Sequence, residues 1–262
     1  MVEVLMQRGP VLRGGQEKHA AERYELRPAD ESIKESQRRT VADFLVRHHQ
    51  RHEFMRLLSL PDERWTFERG VDFNRNEKCT FLGLQRSWMH LERSVPWMPG
   101  VRPTPFSERI EVGAFNGFVT DRARIVFCHA GSFAALALSE CQFGPKSATK
   151  PARRMFNEKY RRNTAVWLDM NCQLCPELRR VANGLSRWLW PFKARIPVVV
   201  SFLAARDAYQ SDAERVAEFS EWMNQHNKFR AFVVRDVWRH QSAESPYLSV
   251  AGTMDSKQGV GA

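Results

Sequence analysis

Apolar and polar positions divide the chain into three textures. Residues 1–29 are polar and carry Gly9-Pro10 and Gly14-Gly15, the composition of an arm without a core of its own. From residue 30 to 58, Val41, Phe44, Leu45, His48, Met55 and Leu58 recur at helical spacing. That spacing predicts a helix over 30–58, stopped by Ser59 and Pro61. From residue 78 onward short apolar runs alternate with helical patterns. Strands are expected at 78–84, 109–114, 124–128, 164–169, 196–203, 229–237 and 247–253, and helices at 85–95, 133–138, 175–190 and 212–226, the last capped by Asp212. The run Ile196-Pro197-Val198-Val199-Val200-Ser201-Phe202-Leu203 is apolar on both faces, the mark of a central parallel strand covered by helices on both sides.

The alternation predicts an α/β fold: a three-layer Rossmann-like sheet with an N-terminal helical extension. The last two strands are joined by a short loop at Ser245-Pro246, which leaves room only for an antiparallel C-terminal hairpin. The expected organisation is an arm and helical extension over 1–60, the sheet domain over 61–254 and a polar tail over 255–262.

Charge changes this picture most. Forty Lys and Arg stand against thirty Asp and Glu, a net charge of +10. Such an excess speaks to partners rather than fold, and favours polyanions. Much of it lies in residues 144–163, where Lys146, Lys150, Arg153, Arg154, Lys159, Arg161 and Arg162 face a single acid, Glu158. Met155, Phe156 and Tyr160 interleave with them. Cations that grip phosphates and aromatics that stack on bases make this the expected nucleic-acid contact. RNA is favoured over DNA because no groove-reading helix motif accompanies the run.

Other patterns exclude more than they assert. No window of about 20 apolar residues exists, so no membrane span is expected. Residues 1–16 lack the apolar centre of a secretory signal, which points to a cytoplasmic or other intracellular setting and not to secretion. The five cysteines form an odd set, fitting reduced thiols. Cys172 and Cys175 have zinc-ligand spacing but no second pair, and read as residues opening a helix. His48, His49 and His52 are flanked by Arg47 and Arg51, and read as a basic helix face; no metal site is expected.

Parallel α/β sheets bind ligands beyond the carboxyl ends of their strands. That rule selects Gly83, His129, Gly131, Ser132, Asp169, Asn171 and Arg206. Asp169 stands out, because a carboxylate ending an apolar strand must find a partner or a ligand. Trp88 and Trp97-Met98-Pro99-Gly100 either close over a ligand or pack a loop.

The order of elements over residues 78–254 resembles the class I S-adenosylmethionine-dependent methyltransferases. That family has a seven-stranded Rossmann-like sheet ending in an antiparallel hairpin. The resemblance sets 78–84 as the first strand, Ile110-Glu111-Val112-Gly113 as the second, 124–132 as the third with its loop, 166–171 as the fourth, 196–206 as the fifth and 229–253 as the hairpin. It implies S-adenosylmethionine as cofactor, contacted by Gly83, Glu111, His129, Gly131 and Ser132. Asp169 and Asn171 would face the methyl acceptor. Two departures stand beside it. The family's first loop carries a G-x-G-x-G run where this chain has only Gly83, and no acid ends the second strand. The implied function is methylation of nucleic acid, RNA favoured. The alternative is a non-catalytic RNA- or ribonucleoprotein-binding subunit on the same scaffold, with the N-terminal extension meeting a protein partner. A metal-dependent nuclease centred on Asp169 ranks last, since no second carboxylate accompanies it.

Overall fold

The computed structural model describes residues 28–49, 55–62, 64–70, 79–85, 93–94, 97, 111–113, 117–119, 123–127, 164–170, 172–189, 195–204, 210–225, 230–241 and 246–256. In chain order the elements are helix α1 (Pro28–His48), strand β1 (Met55–Ser59), helix α2 (Thr66–Gly70), strands β2 (Cys79–Gln85), β3 (Glu111–Gly113), β4 (Gly117–Val119), β5 (Ala123–Phe127) and β6 (Thr164–Asp169), helix α3 (Pro176–Leu189), strand β7 (Ile196–Leu203), helix α4 (Asp212–Asn224), and strands β8 (Arg230–Gln241) and β9 (Pro246–Ser256).

The strands form one nine-stranded sheet in the order β3-β4-β5-β2-β1-β6-β7-β9-β8. The middle five, β5-β2-β1-β6-β7, are parallel neighbours. Counted along the chain without β3 and β4, they run third, second, first, fourth, fifth, the doubly wound Rossmann order. β9 pairs antiparallel with β7 and β8 with β9, which is the expected C-terminal hairpin. β3 and β4 add an antiparallel hairpin at the opposite edge.

Strand alternation divides the sheet's two faces. Val166, Leu168, Ile196, Val198, Val200, Phe202, Leu248, Val250 and Met254 point to one side. There they meet Leu178, Val181, Ala182, Leu185 and Leu189 of α3, and Phe219, Trp222 and Met223 of α4, in one buried cluster. The helical spacing of the α3 residues gives that helix its apolar stripe. α4 starts at a capping box: Ser211 Oγ accepts from the Glu214 amide while the Glu214 carboxylate accepts from the Ser211 amide. The cap is thus Ser211, one residue before the expected Asp212.

The other face carries α1 and α2. α1 buries Val41, Phe44 and Leu45 and packs on β6, β7, β8 and β9. Its Gln37 Nε2 donates to Ser201 Oγ at 3.1 Å and to Ser249 Oγ at 3.2 Å, and the two hydroxyls lie 2.8 Å apart. Trp167 Nε1 donates to the same Ser201 at 3.3 Å. This buried polar network ties the helix to β7 and β9 and satisfies groups that would otherwise be stranded. The three layers are therefore α1 and α2, the sheet, and α3 with α4.

Three expectations are corrected. The helix predicted over 30–58 ends at His48, and Met55–Ser59 is a strand, paired in parallel with β2 and β6 at the centre of the sheet. Met55 and Leu58 match helical spacing as well as they match a short strand. Both neighbours are buried: Leu57 is 0% exposed and Leu58 2%, on opposite faces, which only a strand covered on both sides provides. The division at residue 60 therefore does not mark the edge of the sheet. Next, the strand taken as first, 78–84, is the second in the doubly wound order, and β1 precedes it. Finally, Ile110–Gly113, taken as the second strand, supplies β3 of the edge hairpin. The third, fourth and fifth strands stand where expected. The helix expected at 133–138 and most of 85–95 lie outside the described residues.

Candidate functional site

The connection from β1 leads to β2 on one side, while β6 continues to β7 on the other. The sheet therefore switches direction between β1 and β6, and the carboxyl ends of these strands define the place where such sheets take ligands. Ser59 ends β1 and Asp169 ends β6.

The chain leaves β1 through Leu60-Pro61-Asp62-Glu63-Arg64-Trp65, six residues without a glycine. Asp62 shapes the turn. Its Oδ1 accepts from the amides of Arg64 at 3.0 Å and Thr66 at 2.9 Å, and its carbonyl accepts from the Trp65 amide at 3.1 Å. The Asp62 carboxylate also meets Arg38 of α1 at 3.2 Å. Trp65 then takes a φ of 53°, in the left-handed region that favours glycine. A bulky residue there stores about 1–3 kcal/mol of strain, tolerated only where the surroundings fix it.

What fixes it is Gly83 of β2, which pairs with Ser59. A Cβ at Gly83 would lie 2.7 Å from Trp65 Cη2 and 2.8 Å from Pro61 Cγ. The Trp65 ring, fully buried, and the ring of Pro61 thus fill the space that the glycine leaves open. Trp65 Nε1 is buried with no hydrogen-bond partner among the described residues.

α2 follows at once and sends Glu68 back beneath the strand ends. Glu68 is 1% exposed, and its Oε1 accepts from Ser59 Oγ at 2.5 Å while its Oε2 has no partner among the described residues. Burial pushes this carboxyl up to about 7, against the Ser59 hydrogen bond that lowers it. Phe67 stacks edge-on against Trp167 with centroids 4.1 Å apart.

Asp169 carries a second polar group. Lys34 of α1 reaches Asp169 Oδ2 at 2.8 Å, with its ammonium 4.1 Å from the Tyr247 ring centroid. Asp169 Oδ1 is buried and has no partner among the described residues. His240 pairs with Tyr247 across the β8–β9 hairpin. Its imidazole lies below the usual histidine range, first through burial and then through the Lys34 charge, with Asp169 pulling the other way.

The expected site residues are distributed as follows. Gly83 stands at the switch point, but under Trp65 and Pro61. Asp169 stands at the end of β6, in an ion pair. Glu111 sits on the outer strand β3, four strands removed from β1, and is not part of this site, because the edge hairpin and not the second doubly wound strand contains it. His129, Gly131, Ser132, Asn171 and Arg206 lie outside the described residues, as do Lys146, Lys150, Arg153, Arg154, Lys159, Arg161 and Arg162. The sequence reading missed Ser59, Trp65, Glu68 and Lys34. A signal existed for the first three: the apolar pair Leu57-Leu58 before Pro61-Asp62 is a strand followed by a turn.

The residues at the switch point do not fit S-adenosylmethionine as the resemblance implies it. A cofactor there needs the backbone at close approach, which glycines permit. Here residues 60–65 carry side chains throughout, two of their rings fill the space over Gly83, and β2 ends in Gln85 rather than an acid. Cys172 and Cys175, before α3, form no disulfide among the described residues. Among the described residues no group of three His, Cys, Asp or Glu side chains is placed to hold a metal ion.

No protein-family model and no curated protein matches the chain. Solved structures align with it at low identity. The N-methyltransferase NodS from Bradyrhizobium japonicum aligns over 86% of this chain and 98% of its own at 8% identity, with a TM-score of 0.47. A protein from Bordetella parapertussis described as exported aligns over 88% of this chain and 71% of its own at 13% identity, TM-score 0.49. The fibrillarin pre-rRNA processing protein of Methanococcus jannaschii aligns over 78% and 68% at 9% identity, TM-score 0.43. The chain has a Rossmann-like fold whose sheet ends in an antiparallel hairpin, as its own strand order states.

Proposed function

We propose that this protein is a nucleic-acid-binding subunit, RNA favoured, built on a methyltransferase-type scaffold and acting without S-adenosylmethionine in an intracellular ribonucleoprotein setting. The observation that carries the reading is the packing of Trp65 and Pro61 over Gly83, with Trp65 held at a φ of 53°. A chain that keeps a glycine-type backbone angle yet places a buried indole there has turned a cofactor cradle into core. The net charge of +10 and the cation-rich run 144–163 supply the affinity for phosphate.

A second reading, methylation of RNA with Asp169 orienting the acceptor, is favoured by one feature: Asp169 Oδ1 is buried at a strand end where ligands bind and has no partner among the described residues. One pair of titrations separates the two. Calorimetry of the full chain with S-adenosylmethionine is expected to give no binding heat up to high micromolar concentration, whereas labelled single-stranded RNA binds with an affinity that falls steeply with salt. Cofactor binding would overturn the cofactor-free reading, and failure to bind RNA at low salt would overturn the RNA reading. Replacing the seven cations of 144–163 by Ala should flatten the salt slope.

A further inference from the structure

At the edge of the sheet opposite the switch point, two arginines share one acid. Arg195 immediately precedes β7, and Asp255 follows Met254, the partner of Ile196, so both lie at the amino end of the parallel strands. Asp255 Oδ1 accepts from Arg195 Nε at 2.9 Å, and Oδ2 accepts from Nη2 of Arg235 in β8 at 2.5 Å. Thr253 Oγ1 donates to Asp255 Oδ2 and accepts from Arg235 Nε, each at 3.1 Å. Both oxygens of one carboxylate are thus taken up in holding two guanidiniums side by side. The Asp255 side chain is 12% exposed, against 44% for Arg195 and 36% for Arg235, so the acid lies beneath and the cations face outward. These contacts use Nε of Arg195 and Nε and Nη2 of Arg235, and among the described residues the other Nη groups remain as donors. The neighbouring Asp236 turns its carboxylate onto the Val237 amide. Residues 190–194 and 257–262, which flank the pair along the chain, contain Lys193 and Lys257 and no acid.

The cation-rich run 144–163 joins the sheet at this same edge. Its last residue is bonded to Thr164, which opens β6, and the register that sets Val166 against Val198 brings Thr164 beside Ile196, next to Arg195. Asp169 ends β6 about 17 Å further along the strand, at the other edge. Two guanidiniums fixed in one place offer the forked donors that phosphate oxygens accept, and the acid beneath them offsets their mutual repulsion. We infer that Arg195 and Arg235 clamp a backbone phosphate of single-stranded RNA at the amino edge of the sheet, continuing the contact supplied by the run 144–163. RNA then lies across the edge opposite the closed switch point. This inference rests on the RNA-binding reading above and adds the edge, the residues and the mode. A reporter stands beside the clamp. α1 crosses the sheet from Lys34, on Asp169, to His48, whose ring lies 4.4 Å from that of Phe44. Burial first, then the charges of Arg47 on α1, Arg235 on β8 and Arg195 before β7, hold the His48 imidazole below its usual range, while Asp255 on β9 opposes them.

The test uses the full chain and a 12-nucleotide oligouridine. In an NMR pH titration of the wild type, bound RNA is expected to move the His48 titration to higher pH, because a phosphate on Arg195 and Arg235 offsets the charges that lower it. His240, at the carboxyl edge, should stay where it is. By anisotropy of the fluorescein-labelled RNA over a series of salt concentrations, Arg195→Gln with Arg235→Gln should weaken binding and reduce the slope of log K against log salt by about 0.7, the value for one phosphate on a single strand. With the wild type binding, a His48 titration that RNA does not move would overturn the clamp and leave the RNA reading standing, and so would an unchanged affinity and salt slope in the folded double variant. No binding by the wild type would overturn the RNA reading and the clamp with it. Thermal melts guard against loss of fold, and the His48 readout needs no substitution, so the clamp stays testable if the double variant does not fold.

Discussion

The hydroxyl of Ser59, the last residue of the central strand, donates a 2.5 Å hydrogen bond to the buried carboxyl of Glu68. Burial raises that carboxyl from 4.5 to about 7, so the folded chain holds a proton there that the unfolded chain releases at lower pH. The native state therefore binds more protons between the two values, and stability falls as pH rises from about 4.5 through about 7, then levels off. At 1.36 kcal/mol for each pH unit, the loss amounts to about 3 kcal/mol. Glu68→Gln removes the titration. Urea unfolding at pH 5 and pH 8 should show that the substitution stabilises the chain at pH 8 relative to pH 5; an equal effect at both would exclude Glu68 as the titrating group.

Gly83 and Trp65 are packed as a pair, and the pairing makes a non-additive prediction. Gly83→Ala puts a methyl 2.7 Å from Trp65 Cη2 and 2.8 Å from Pro61 Cγ, and should destabilise by about 1–3 kcal/mol through overpacking. Trp65→Gly relieves the left-handed backbone strain but empties a fully buried site, so it should cost more than Gly83→Ala. Combined, the alanine methyl enters space the indole has vacated, and the double variant should be less destabilised than the sum. Chemical unfolding of the three variants checks this; simple additivity would mean that the two residues do not press on each other.

How far the sequence foretold this site follows from the same residues. β7 was legible because eight residues with apolar side chains on both faces admit no surface helix. Asp169 was legible as a charge ending an apolar strand. β1 was not, because five residues with Arg56 among them satisfy a helical spacing as readily as a strand. With β1 read as the end of a helix, the following turn reads as an ordinary stop, and Gly83 falls in the first strand's loop. The Lys34–Asp169 pair spans 135 positions and depends on where α1 lies across the sheet, which no local pattern encodes. The antiparallel hairpin, by contrast, follows from loop length alone.

Gln37 is the polar anchor of α1. Its amide nitrogen serves Ser201 and Ser249 in a buried setting, and Gln37 itself is 1% exposed. Gln37→Ala removes two donations and leaves a void, while the two serines keep their mutual bond. The loss should be about 2 kcal/mol, seen as a lower urea midpoint with an unchanged m-value. A changed m-value would mean that α1 has detached rather than lost one anchor. Ser211→Ala, which breaks the capping box of α4, should cost about 1 kcal/mol by the same measurement, and Ser211→Asp should restore most of it.

Lys34 and Asp169 act on His240 with opposite signs. The imidazole is held below its usual range first by burial and next by the Lys34 charge, while Asp169 raises it. Lys34→Met deletes a lowering influence, so the His240 titration should move to higher pH. Asp169→Asn deletes the raising influence, so it should move to lower pH. The two substitutions break the same 2.8 Å ion pair, and a purely structural disturbance would shift the imidazole the same way in both. Opposite displacements, followed through the His240 ring resonances in an NMR pH titration, would establish that the three charges share one field at the carboxyl edge of the sheet. Displacements of like sign would instead show that α1 moves when either partner is lost, and that burial alone governs His240.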